Sequence, residues 1–582
     1  MRRSVAAAAV LAAAAAAVLA LRARPAPPVL FVGGPILTMD SADRVVEAIA
    51  IDHGTIAATG SRSDLQAWAR EHDATVVDLH GRALLPGFVD AHSHFPACGL
   101  FDTLVHVGSP PLANVTTIDE LVQTMARGSA SSRRGPWIVG WGYDDTALTD
   151  LRHPTRDDLD RVSRDEPVAV FHISMHVAVV NSAGLAALGL GDASPDPQGG
   201  HLVRDEHGHL TGLLEEEAMR PLLTATMVPS TLDAVLATRR AAATYLAAGV
   251  TTAQDGAATK DQVSGLILLS RAGLLPLRLV IWPEGDTALA IADKTWRPGT
   301  TDPDWVRIGA AKFIADGSIQ AYTAYLSEPY FRGPATSGAA QAPSSAPSVP
   351  SSDAKDASLR GFPRIPRERL FELVAHIHAA GGQVAIHGNG DAEIDDILDA
   401  IEAAQKAFPR DDARHVIVHA QMAREDQLDR MKALGVIPSF FELHTWYWGD
   451  RHRDRFLGPE RAARISPLKS AEARGLPFTL HADTPVVPME PLRMLAAAVT
   501  RRTASGAVLG PEQRIGVASA LRALTINAAH EMFLENRVGS LEAGKLADLV
   551  ILDRSPLAPD VDLDNLHVVE TWVGGRRVFP AN

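Results

Sequence analysis

Two histidines separated by one serine close an apolar run, "LLPGFVDAHSHF" (84–95). In an extended strand, residues i and i+2 share a face. His92 and His94 therefore project together, and a pair of convergent imidazoles suits a divalent cation such as zinc. Alone, His-x-His decides little. The pattern recurs, however: His387 ends "QVAIH", His419 ends "HVIVH" and Asp483 ends "FTLHAD". Each is a metal-competent side chain at the end of a separate apolar run, and together they point to a metal centre. Lys312, within "GAAKFIADGS", enters by different chemistry. A lysine near two cations can shed its proton and take up carbon dioxide, and the carbamate then bridges two metals as a carboxylate does. The alternative is an ion pair between Lys312 and Asp316.

The elements that must position these side chains follow from patterning. Short β-like runs with turn signals occupy 29–40, 48–60 and 74–87, and a similar pair, 545–556 and 567–579, closes the chain. They predict a small β-sandwich domain built from both chain ends, 25–85 and 536–582. Between them, strand-like runs at 87–95, 250–256, 276–282, 307–317, 383–391, 415–421, 435–441 and 477–483 alternate with helical stretches. This predicts an α/β protein with a (β/α)8 TIM-type barrel over 86–535. In such a barrel, chemistry sits at the C-terminal ends of the strands, where His92, His94, His387, His419 and Asp483 fall. Residues 100–245 are too long for a βα connection and read as a large insertion after strand 1. Residues 333–358, "GPATSGAAQAPSSAPSVPSSDAKDAS", are Pro/Ser/Ala-rich and read as a disordered loop.

At this point the chain resembles a known family. The opening motif, "KFIADGS", "VAIHGNGD", "VIVHAQ", "LHADTPV" and the tail "GSLEAGKLADLVILD" (539–553) are similar to the amidohydrolase superfamily, in its YtcJ-like (amidohydrolase-3) branch, which includes formamide deformylases. The insertion motifs "GWGYDD", "HVAVVNSAGL" and "GGHLVRDEHGHLTGLLEE" fit the same branch. The resemblance implies two divalent ions per chain, expected to be zinc, with a single ion as the alternative. It implies His92 and His94 on the more buried metal, His387 and His419 on the second, Lys312 bridging as its carbamate, and Asp483 touching the buried metal and the catalytic water. Asp483 and Lys312 are thus the expected catalytic residues. The expected reaction is hydrolysis of a non-peptide C–N bond in an amide, N-formyl, carbamate or cyclic amide compound, with Asp483 as general acid/base. A mononuclear deaminase-type hydrolase and a non-catalytic binding protein on the same scaffold are the competing readings.

Several further side chains carry two readings each. "FFELHTWYWGDRH" (440–452) is an aromatic patch in a chain with 5% aromatics. Phe441, His444, Trp446 and Trp448 either wall a substrate pocket or pack against the insertion. The resemblance adds Trp141 and His176 as caps over the site. His481 is either support for the ligands or a packed histidine, His415 reads as structural, and Asp316 and Ser318 either organise the loop after Lys312 or make a simple turn.

Composition limits the partners. The 582-residue chain carries a net charge of −14 with a pI near 5.9 and no basic cluster, which argues against nucleic acid. Cys98 is the only cysteine, so no intrachain disulfide or thiolate cluster forms. A small-molecule substrate is the expected partner, with a homodimer and a membrane tether as further candidates. Residues 1–24 begin "MRRS" and run through the apolar "VAAAAVLAAAAAAVLAL" into "RARPAPP" (22–28), which is basic and then proline-rich. That is the layout of a signal peptide or N-terminal membrane anchor, so the protein is expected to be exported, either periplasmic or secreted or anchored to the membrane.

Overall fold

The computed structural model describes residues 26–331 and 359–580. The expected leader, 1–24, and the expected disordered loop, 333–358, lie outside these residues. Among the described residues, no helix is long and apolar enough to cross a membrane.

The strands that carry the candidate ligands are β1 (Phe88–Val89), β2 (Val250–Ala258), β3 (Arg278–Pro283), β4 (in two pieces, Val306–Ile308 and Ala311–Ile314), β5 (Val384–Gly388), β6 (Val416–His419), β7 (Ile437–Phe440) and β8 (Thr479–Leu480). Neighbours in this order pair in parallel, in one sheet from β1 to the first piece of β4 and a second from its other piece to β8. The pieces of β4 flank Gly309, where a Cβ would sit 2.7 Å from Trp282 Cδ1, so the strand passes the indole only as glycine. Past the gap, Lys312 bridges to Glu284 at the end of β3. The last strand also meets the first: Asp483 N donates to His92 O (3.2 Å) and His94 N to Thr484 O (2.8 Å).

Most of these strands are buried along their whole length, as expected where helices cover the outer face. The helices are α1 (Lys260–Arg271), α2 (Gly285–Ala292), α3 (Arg367–Ala379), α4 (Asp391–Ala407), α5 (Glu425–Leu434), α6 (Leu443–Arg451), α7 (Leu468–Ala473) and α8 (Pro491–Thr500). In α4, Ile394, Ile397, Leu398, Ile401 and Ala404 repeat at helical spacing and are buried. Asp391 in its first turn complements the helix dipole.

The two ends of the chain share one eight-stranded sheet. Leu549–Leu552 pairs antiparallel with Ala83–Pro86, which in turn lies beside Val29–Leu37. Arg278 of β3 anchors this sheet through Asp548, with Nε to Oδ2 at 2.6 Å and Nη2 to Oδ1 at 2.9 Å, both side chains buried. Residues 105–216 form a separate seven-stranded sheet with its own apolar clusters around Leu121, Val170 and Phe171.

Candidate metal centre

His92 and His94 follow β1, and Asp483 follows β8. His92 Nε2 lies 3.3 Å and His94 Nε2 3.4 Å from Asp483 Oδ1. Asp483 Oδ1 is buried without a hydrogen-bond partner. Ligands about 2.0–2.1 Å from a tetrahedral ion stand roughly 3.3 Å apart, so these spacings are those of ligands around one cation. The His92 ring is fixed from behind: Nδ1 donates to Gln254 Oε1 (3.1 Å), which also accepts from Ser93 N (2.9 Å). That directs the Nε2 lone pair inward. Gly256 gives the ring room, since a Cβ there would lie 2.3 Å from His92 Cε1 and 2.7 Å from Ser93 O.

The other ligands gather beside this group. His387 and His419 stack edge to face with centroids 4.4 Å apart, and His419 lies 5.8 Å from His92. His387 Nδ1 donates to Asp316 Oδ1 (2.9 Å), which also accepts from Asn389 N (3.0 Å). His387 Nε2 thereby carries the lone pair of the ring, 3.4 Å from Asn389 Nδ2. His419 Nδ1 is buried and unpartnered. His419 (φ 73°) and Asp483 (φ 53°) both adopt the left-handed region, a conformation that costs energy outside glycine and recurs at functional sites. Lys312 Nζ lies 2.9 Å from His92 Nε2.

Electrostatics complete the donor set. Burial and the nearby Lys312 hold His92 well below the usual histidine range, and burial does the same for His387 and His419. All three are neutral, as ligation requires. Burial would push Asp483 upward, but the adjacent imidazoles of His92, His94 and His419 outweigh it and hold the carboxyl well below its ordinary range. Burial brings Lys312 down to about 7. Neutral imidazoles, an ionised carboxylate and orphaned buried atoms together fit a divalent ion.

Of the side chains with two readings, Asp316 holds His387 through its Nδ1. Ser318 closes a turn, its N donating to Thr323 Oγ1 (3.0 Å). His415 accepts from Val384 N and passes to His378 (2.8 Å), a self-contained chain away from the ligands. His481 is fully buried, with rings of His92 and His419 at 5.3 and 5.0 Å and neither nitrogen hydrogen-bonded.

The aromatic patch divides. Phe441 lies 5.8 Å from His419 and 5.0 Å from His481, His444 lies 4.5 Å from Phe441, and Trp448 lies 4.7 Å from His444. These three make a continuous wall from the ligands to the insertion, where Trp448 Nε1 donates to Asp144 Oδ2 (2.8 Å). Trp446 is elsewhere, with the Arg493 guanidinium 4.4 Å over its ring. In the insertion, Trp141 stacks on His106 at 4.8 Å and meets Phe101 edge-on. His176 reaches the centre, its ring 5.3 Å from that of His387.

In a second acid–histidine group among the described residues, Asp144, Asp145 and His172, Asp145 Oδ1 and His172 Nε2 lie 3.3 Å apart with no hydrogen-bond partner, while Asp144 is held by protein groups. Asp144 accepts from Thr146 N, Thr146 Oγ1 and Trp448 and pairs with Arg451 (2.9 Å), which ties the insertion to α6. Gln254, Gly256 and Glu216, the partner of His176, do not stand out in the sequence. Each lies within a strand and does its work through a side chain delivered by another strand.

The chain matches the profile of the Amidohydrolase family over residues 75–579. It is 29% identical over 94% of its length to N-substituted formamide deformylase of Arthrobacter pascens, covering 97% of that protein. It is 27% identical to YtcJ of Bacillus subtilis (strain 168), with 94% of this chain and 98% of that one aligned. Among solved structures it superposes on an uncharacterized metal-dependent hydrolase from Pyrococcus horikoshii OT3 with a TM-score of 0.71 and 26% identity, over 93% of this chain and all of the other. With the profile spanning most of its length and the metal-competent residues gathered at one point, the chain belongs to the Amidohydrolase family.

Proposed function

We propose that the protein hydrolyses a non-peptide C–N bond at a metal centre, and that the two parallel sheets, linked from β8 back to β1, form one closed (β/α)8 barrel with that centre at its rim. The observation that carries this reading is the convergence of His92, His94 and Asp483 on one point, with Asp483 Oδ1 left unpartnered. These three residues would hold one ion, and His387 and His419 a second. Lys312 Nζ lies 2.9 Å from His92 Nε2, and burial leaves part of its amine neutral near pH 7, the form that takes up carbon dioxide. Divalent metal in such a site makes hydroxide available at neutral pH and polarises a carbonyl. Asp483, ionised and buried, takes the proton of the attacking water at its carboxylate and delivers it to the leaving nitrogen. Phe441, His444 and Trp448 receive the apolar part of the substrate. Because the Arthrobacter relative is named for N-substituted formamides, these head the candidate substrates, followed by N-acyl, carbamate and hydantoin-type compounds. The leader supports an exported or membrane-anchored enzyme.

A second reading, one ion on His92, His94 and Asp483, is favoured by the compactness of that trio. Metal analysis separates the two: about two ions per chain are expected, and one would select the mononuclear form. A hydrolysis screen of the four compound classes, with His92→Ala as blank, tests the activity; no turnover above that blank would defeat it. Lys312→Ala should lose activity and metal, with partial rescue by short carboxylates. Full activity in that variant would remove the bridging role.

A further inference from the structure

Ser93 stands between the two histidines of the opening motif, and its hydroxyl lies in a knot of hydrogen bonds behind them. Ser93 Oγ donates to Asp90 Oδ2 and to Gln254 O (3.0 Å), and Asp90 Oδ2 also accepts from Gln254 N (3.2 Å). A further partner comes from outside these strands: Tyr245 OH lies 2.6 Å from Ser93 Oγ. The serine hydrogen is spent on Asp90 and Gln254, so the phenol is the donor. Burial raises that phenol well above its usual range, and it keeps its proton at neutral pH. The Tyr245 ring meets Phe95 edge-on, with centroids 5.4 Å apart. Tyr245 therefore touches the residues on both sides of His94, Ser93 through its hydroxyl and Phe95 through its ring.

Tyr245 is fully buried near the end of the helix Thr231–Ala247, which leads from the insertion into β2. That helix is held at several points. Gly99 lets it approach closely, since a Cβ there would lie 2.0 Å from Ala237 O. Arg240 Nε donates to Gly99 O (2.8 Å), and Thr571 Oγ1, in the sheet of chain ends, donates to Leu246 O (2.7 Å). A side chain on so fixed an element can hold a turn in place. We propose that Tyr245 is a positioning residue of the metal centre: by gripping Ser93 and Phe95 it holds the turn that presents His92 and His94 to the point they share with Asp483. The assignment rests on the metal-centre reading above.

The test titrates the full-length protein, stripped of metal by a chelator, with zinc in competition with a chromophoric indicator. Tyr245→Phe keeps the ring on Phe95 and removes only the hydroxyl. Outer groups that orient metal ligands change metal affinity when removed, and the loss of this one hydrogen bond should weaken the tightest zinc step by about fivefold. Ser93→Ala should weaken it at least as much. The double variant should be no weaker than Ser93→Ala, because the hydroxyl then has nothing to hold. Cobalt in place of zinc gives a readout that loosening of the fold alone would not move. Its visible ligand-field bands report the geometry at the ion, and they should shift in Tyr245→Phe. Arg501→Met, which breaks a buried pair with Glu442, should leave them in place. Wild-type affinity with wild-type bands in Tyr245→Phe, full additivity in the double variant, or an equal shift in Arg501→Met overturns the proposal. Zinc uptake that ignores Tyr245→Phe removes Tyr245 alone, whereas no uptake by wild type overturns the metal-centre reading with it.

Discussion

The His92 imidazole occupies a seat with no spare volume, and that gives Gly256 a role in metal binding. A methyl group at 256 would lie 2.3 Å from His92 Cε1, well inside van der Waals contact, and the strand backbone cannot yield as a flexible side chain can. Gly256→Ala should leave the fold intact by circular dichroism while lowering metal content. Retention of full metal content would show that the ring has slack. Asp483→Asn keeps the shape but not the charge. Turnover should fall by about 10²–10⁴-fold with most of the metal retained, measured by steady-state rate and metal analysis on one sample. The convergence of His92, His387, His419 and Asp483 was legible because each closes an apolar run, where a polar, metal-competent side chain contrasts with everything before it. Gln254, Gly256 and Glu216 were not, since their meaning lies in contacts with residues 40 to 164 positions away. Nothing in a local window distinguishes them from other strand residues.

Helix α6 carries the aromatic wall, and its start is tied to the end of α8. Glu442, just before α6, and Arg501, just after α8, are both fully buried and paired at 3.1 Å. Arg501 also donates to Leu509 O (2.9 Å) and Ile465 O (2.8 Å). Removing one member of a buried pair strands the other charge in an apolar setting, at a cost of about 3–5 kcal/mol. Arg501→Met should lower the urea midpoint accordingly, and a loss within error of zero would show that Glu442 finds other partners. The same helix shows where reading by composition falls short. Aromatic richness grouped Trp446 with His444 and Trp448, but two helical steps carry residue 446 to the opposite face, under Arg493, whereas four return residue 448 to the face of residue 444. The strand order, by contrast, was readable from the spacing of buried runs alone.

In the whole molecule, the insertion is fastened to the parallel strands by Glu216, His176 and Arg364. Glu216 sits at about 2 in the folded chain against an ordinary 4.5, so it contributes stability above pH 4.5 that is lost as pH falls toward 2. The contribution is on the order of 3 kcal/mol. Urea unfolding of wild type and Glu216→Gln should therefore differ most at neutral pH and converge between pH 4.5 and 2. A gap that stays constant through that window would mean the carboxylate is not held by its charge. The insertion was recognisable as an extra body from its length, but its fastening was not, because "LLEEE" reads as a polar strand end.

The sheet assembled from both chain ends sets a schedule for synthesis. Ala83–Pro86 has no partner on one side until Leu549–Leu552 has been made, and at about 5–20 residues per second that wait lasts tens of seconds. Throughout it the ribosome-bound chain presents an open hydrogen-bonding edge of the kind that recruits chaperones or aggregates. A premature stop anywhere before residue 549 leaves that edge permanently bare, which makes the last few dozen codons as decisive for solubility as those for the metal ligands are for chemistry.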